Sequence, residues 1–154
     1  MIDIVEGRKE DIGRCLAIAG SLPQYFTSKA LEAMRHDLSG HPFHVARDEY
    51  GQVLGFASTR QTTELAAELE WLAVAEGYRR QGVGAIMVET VCSVLRSKGT
   101  KLLLARTLSK RSQYTPYEAS RRFLEKAGFI HIDTIDPYPG WEPGNPCAVY
   151  ARIL

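Results

Sequence analysis

Apolar residues along this chain recur in two rhythms, one alternating and one near the helical repeat, and the switches between them outline its elements. Ile2 to Val5 predicts a short first strand. Asp11 can cap a helix in which Ile12, Cys15, Leu16 and Ala19 form an apolar stripe, and Ser21-Leu22-Pro23 breaks it. A second helix is expected from Ser28 to Leu38, before Gly40. His44 to Arg47 and Val53 to Thr59 read as strands, and Asp48-Glu49-Tyr50-Gly51 between them has turn chemistry, so the pair is a hairpin. Leu65 to Val74 reads as a further strand, with Glu68 and Glu70 two apart. A helix opens near Gly82 and runs to Lys98, with Val83, Met87, Val91 and Val94 on one face, and Gly99 stops it.

Lys101 to Thr107 is too short for anything but a buried sheet element. Tyr114-Thr115-Pro116 starts a last helix that ends at Gly128. Phe129 to Ile135 is a strand, Asp136 to Pro146 is rich in Pro and Gly and must be a loop, and Ala148 to Ile153 closes the chain as a strand. That order predicts an α/β or α+β protein with one central mixed sheet. At 154 residues it fits a single domain, residues 1 to 154.

Composition narrows the function classes. A formal net charge of +1 gives no global basic excess, so no nucleic-acid partner is expected. Cys15, Cys92 and Cys147 lie far apart, which argues against disulfides and against a zinc site, and no metal is expected. Cys15 and Cys92, among apolar residues at helical spacing, read as small buried hydrophobes in a reducing compartment. No apolar run approaches the roughly 20 residues a bilayer span needs, so no membrane partner is expected. Met1-Ile2-Asp3-Ile4-Val5-Glu6 does not read as a signal peptide, and the cytoplasm is the expected location.

The informative unit is the strand Leu69-Glu70-Trp71-Leu72-Ala73-Val74, a turn, and Gly82-Val83-Gly84 opening a helix. A helix start presents unpaired N–H groups and the positive end of its dipole. Glycine lets a phosphate approach that backbone, and Arg79 and Arg80 add charge beside it. This is a pyrophosphate cradle in outline, although a Gly-x-Gly turn also serves packing alone. Two other phosphate loops are excluded. The dinucleotide fingerprint needs a small residue where Met87 stands, and no Gly-Lys-Ser/Thr occurs.

Arg79-Arg80-Gln81-Gly82-Val83-Gly84 resembles the Arg/Gln-x-x-Gly-x-Gly/Ala acetyl-CoA signature of the GNAT superfamily of N-acetyltransferases. Leu72-Ala73-Val74-Ala75-Glu76-Gly77-Tyr78 resembles the stretch leading into that loop. Phe123-Leu124-Glu125-Lys126-Ala127-Gly128-Phe129 resembles the family's second helix-to-strand motif. The resemblance covers the chain from Glu64 onward. It implies a single GNAT-like domain with a mostly antiparallel sheet, splayed between the fourth and fifth strands, and helices on both faces. It implies acetyl-CoA as cosubstrate, held by Leu72, Ala73, Val74, Arg79, Arg80, Gln81, Gly82, Val83, Gly84, Ser120 and Phe123. A backbone N–H near Leu72 would polarise the thioester carbonyl. An amine would then attack directly, without a covalent enzyme intermediate.

That attack needs a base. Glu68 and Glu70 project on one face of their strand, and the resembled family has glutamate bases at both positions. Either both are solvated edge residues or one is the base, with Glu70 nearer the acetyl site. Many members also carry a tyrosine four residues before the glycine of the Gly-Phe pair, where it protonates the leaving thiolate. Here that position is Leu124, which cannot donate a proton. Tyr117, two turns earlier on the same helical face, is one substitute, Tyr114 another, and unassisted departure a third. Arg121, Arg122 and Lys126 either meet cofactor phosphates or form a solvated basic face.

Tyr25, Phe26, Tyr138 and Trp141 fall in regions that flank the acceptor mouth in the resembled fold, where they either line the mouth or merely pack. His41 and His44 are read as structural. The expected partner is a small-molecule or peptide amine, and the resemblance also carries the expectation of a homodimer. The alternative reading is a non-catalytic acyl-CoA-binding or sensing module on the same fold.

Overall fold

A computed structural model describes residues 1–154. Seven strands form one sheet in the order β1-β2-β3-β4-β5-β7-β6. They are β1 (Asp3–Glu6), β2 (Phe43–Arg47), β3 (Val53–Gln61), β4 (Ala66–Val74), β5 (Leu102–Leu108), β6 (Ile130–Ile135) and β7 (Cys147–Ile153). Every neighbouring pair is antiparallel except β4 and β5. The helices are α1 (Ile12–Gly20), α2 (Ser28–Gly40), α3 (Val83–Ser97) and α4 (Glu118–Lys126).

The sheet is covered on both faces, so it has two cores. On one face Val83, Met87, Val91 and Leu95 of α3 pack with Leu69 of β4 and Leu103 of β5. On the other, Ile18 of α1 and Met34 and Leu38 of α2 pack on Val45 and Phe56. β3 passes between these layers, which is why Val53 through Thr59 is buried without alternation. The mixed sheet with helices on both faces agrees with the fold expected from the sequence. No helix is long and apolar enough to cross a membrane.

Three local details differ from the sequence reading. Asp11 does precede α1, but no helix N–H bonds its side chain. Its carboxylate instead accepts the Arg8 N–H at 2.8 Å and the Arg47 guanidinium at 2.8 Å on both oxygens. The charged partner outcompetes a helix N–H for those lone pairs. α2 runs to Gly40, and the His41 N–H closes it on the Asp37 carbonyl at 2.8 Å. The last helix starts later than the tyrosine-proline signal implies, because Thr115–Tyr117 forms a 3-10 turn first.

Candidate active site

β4 and β5 pair only from Ala66↔Leu102 to Leu69↔Ala105. Beyond that they splay. β4 stays paired with β3 as far as Val74, and β5 stays paired with β7 as far as Leu108. The Ala75 N–H bonds the Leu54 carbonyl on the β3 side. Alternation along an antiparallel pair then turns the N–H and C=O groups of Leu72 and Val74 toward the gap. On the far wall the Arg121 guanidinium donates to the Leu108 carbonyl at 2.7 Å, fixing the start of α4 to the splayed end of β5.

The loop after β4 leads into the start of α3. Arg80 and Gly82 have positive φ, +64° and +79°, and Gly82 precedes the first turn of α3. The N–H groups from Arg80 to Ala85 donate no hydrogen bond within the protein. Adjacent free donors at a helix start, beside two exposed arginines, fit an anionic pyrophosphate. Gly84 is pressed by Phe123 of α4, so both glycine-bearing motifs meet at this loop. Ser120 lies on the same helix one turn earlier, half-buried.

The two glutamates share Arg60 but differ in their other partners. In β4 two residues, Glu70 and Trp71, stand where β3 supplies one, because the register steps from Ser58↔Trp71 to Thr59↔Leu69. This bulge sits where the strands begin to splay. Glu70 is buried there, its side chain 8% exposed, with both carboxylate oxygens 3.0 Å from His41 Nδ1. Ser58 Oγ and Arg60 Nε lie 3.5 Å away. Burial pushes the Glu70 carboxyl above the ordinary glutamate range, and the His41 contact opposes that rise. Glu68 is held by two arginines instead, Arg60 Nη2 at 2.9 Å and Arg106 Nη1 at 2.6 Å. The Arg106 contact is an ion pair in which Nε and Nη1 meet no partner in good hydrogen-bond geometry.

The tyrosines form a strut between the α1–α2 loop and the turn before α4. Tyr117 donates to the Tyr25 carbonyl at 2.6 Å, and Tyr114 donates to the Gln24 carbonyl at 2.6 Å. Burial pushes the Tyr117 phenol above its ordinary value, so its proton stays on. Arg79 lies over the Tyr25 ring, 5.2 Å from its centroid. Phe26 stacks edge-on against Trp71, and Tyr138 lies over the Arg106 guanidinium at 5.5 Å. Tyr138 and Trp141 pack edge-on with each other. All three cysteines are buried, and burial pushes Cys15 up to about 12 and Cys147 up to about 11. Thiols so placed are poor nucleophiles.

The sequence reading missed the partners of Glu70. The sequence reading gives His41 and His44 structural roles only. His44 is half-buried on β2, but His41 contacts the candidate base. Asp37, one turn before His41, accepts the Trp71 indole N–H at 2.8 Å. The Asp37–His41 spacing of four was visible in the sequence, but the strand it would meet was not. One donor atom from each of Asp37, His41 and Glu70 lies within 4.8 Å of the others. Within this group His41 contacts Glu70 and, separately, the Trp71 indole N–H donates to Asp37.

A splayed β4–β5 gap beside an open helix start is the arrangement that the acetyl-CoA resemblance implies. The sequence matches the Acetyltransferase (GNAT) family over residues 14–129, and the chain belongs to that family. A GNAT-family acetyltransferase from Desulfovibrio desulfuricans superimposes with a TM-score of 0.86 at 22% identity, covering 99% of each chain. One from Elizabethkingia anophelis with acetyl-CoA bound gives 0.74 at 19% identity, covering 99% of this chain and 98% of that one. The ribosomal-protein-S18-alanine N-acetyltransferase from Escherichia coli gives 0.76 at 18% identity, covering 99% and 94%. No curated protein sequence matches the chain significantly.

Proposed function

We propose that this chain transfers an acetyl group from acetyl-CoA to a primary amine by direct attack, with Glu70 as the base. The observation that carries the reading is the Glu70 carboxylate, buried in the β4 bulge at the mouth of the splayed strands. Free N–H groups from Arg80 to Ala85, with Arg79 and Arg80, take the pyrophosphate. The backbone of Leu72 and Val74 takes the pantetheine arm, and the Leu72 N–H polarises the acyl carbonyl. Ala73, Gln81, Ser120 and Phe123 shape the same cleft.

Glu70 removes one proton from the acceptor ammonium, directly or through water, and the freed nitrogen attacks the acyl carbon. The nitrogen's second proton balances the departing thiolate. Between the two glutamates, Glu68 is the weaker candidate because two arginines already neutralise it. Tyr117 is one source of the thiolate's proton, and it can serve only by releasing the Tyr25 carbonyl. The aromatic mouth of Phe26, Trp71, Tyr138 and Trp141 suits an amine on a small molecule or a peptide end.

Thiol release from acetyl-CoA across a panel of amino acids, polyamines, aminoglycosides and short peptides tests the reading. Turnover on at least one amine, lost in Glu70→Gln with acetyl-CoA affinity kept, supports it. Calorimetric binding of acetyl-CoA without turnover on any amine favours a sensing module instead, the reading that Leu124 in place of a proton-donating tyrosine favours.

A further inference from the structure

Resting on the reading of Glu70 as base, we propose that His41 is its positioning residue, an imidazole whose Nδ1–H holds the carboxylate aimed into the cleft. The geometry is specific. His41 Nδ1 stands 3.0 Å from each Glu70 oxygen, so the donor faces the carboxylate end-on. Its backbone is pinned independently, since the His41 N–H bonds the Asp37 carbonyl at the end of α2. Glu70 needs such a partner because a bulge residue lacks a cross-strand neighbour to fix its direction. The other groups near it are poorer anchors. Arg60 is drawn to Glu68 at 2.9 Å, and Ser58 Oγ is at 3.5 Å.

The charged and titratable groups around the pair come from every neighbouring element. Asp37 approaches from α2, Arg60 from β3 and Glu68 from β4. His41 also lines a cavity of about 270 Å³ whose walls include Glu6, His44, Gln61 and Lys98.

Removing His41 takes away the contact that opposes the desolvation of Glu70, so its proton affinity rises further. His41→Ala should move the acidic limb of kcat/KM upward by about one pH unit and lower kcat at neutral pH about tenfold, the scale of losing one hydrogen bond to a charged group. His41→Asn keeps a side-chain N–H at the same place and should keep most of the rate. The assay uses acetyl-CoA with the panel amine turned over fastest, over pH 5 to 9.

If His41→Ala lowers the rate equally at every pH, the residue is only structural and the proposal falls. If Glu70→Gln retains full activity, the underlying base reading falls instead, which the same plate distinguishes. A folding defect in His41→Ala does not block the test, because imidazole ¹⁵N shifts in the wild type report the tautomer. Nδ1–H beside ionised Glu70 is expected, and an Nε2–H tautomer there overturns the proposal.

Discussion

Phe123 of α4 lies against the backbone of Gly84 in the first turn of α3: a Cβ built on that glycine would meet the ring at 3.1 and 3.3 Å. The contact joins the two sequence motifs and holds α4 against the loop whose N–H groups stay free. Alanine asks the ring to move only a few tenths of an ångström, and in the first turn it gains less than the about 0.8–1 kcal/mol of helix propensity seen at an interior position. Gly84→Ala should therefore melt within a few degrees of the wild type. Gly84→Val adds branched bulk that the ring cannot clear, costing about 1–3 kcal/mol. Acetyl-CoA affinity should fall about tenfold as the loop is displaced. Adding Phe123→Ala should recover part of both losses. Additive effects in urea melts and calorimetry would show that the two positions act apart.

Glu68 should behave as a structural charge rather than a base. It lies between Arg60 and Arg106, and the Arg106 side chain is only 20% exposed. Glu68→Gln strands that guanidinium, at a cost of about 1–3 kcal/mol. The expected result is a lower urea midpoint with kcat reduced less than in Glu70→Gln. The reverse order of kcat effects would move the base to Glu68.

The legible and illegible parts of the site divide along physical lines. Gly82 was readable because the left-handed backbone at the start of α3 demands glycine locally, and Gly84 because it completes the Gly-x-Gly spacing. The helix order was readable because α1, α2 and α3 each lay one apolar stripe on the sheet, whereas β3, covered on both faces, shows no alternation. His41 was not readable, because it reaches Glu70 only once α2 folds across β4, 29 residues away in sequence. The Arg60–Glu68 pair depends on strand register, which no local pattern fixes. The bulge also breaks the alternation rule. Consecutive Glu70 and Trp71 should point to opposite faces, yet they meet His41 and Asp37, neighbours at the end of one helix.

Tyr117 should prove more a strut than an acid. Its hydroxyl is committed to the Tyr25 carbonyl at 2.6 Å, and its ring packs edge-on against Tyr25. Tyr117→Phe keeps the ring and removes the bond, so stability should fall by about 1 kcal/mol. Acceptor KM should rise as the α1–α2 loop loosens, while kcat changes less than threefold (about 0.6 kcal/mol). A kcat loss near a hundredfold with unchanged KM would instead assign Tyr117 as the proton donor.

Glu70 should cost the protein stability at the pH where it works. Burial raises its folded-state pKa above the unfolded value. Between those two values the native state holds a proton that the unfolded chain has lost, so stability falls as pH rises through that window. The fall starts near the ordinary glutamate value of 4.5 and is complete once pH exceeds the raised folded value. Glu70→Gln cannot ionise and escapes it, while its amide can still meet the His41 ring. The variant should melt higher than the wild type at pH 7 to 8, match it near pH 4, and lose turnover. Paired thermal melts at both pH values check the sign. A Glu70→Gln variant less stable at pH 8 would mean that the ionised carboxylate, held by His41, Ser58 and Arg60, is favoured by the fold after all.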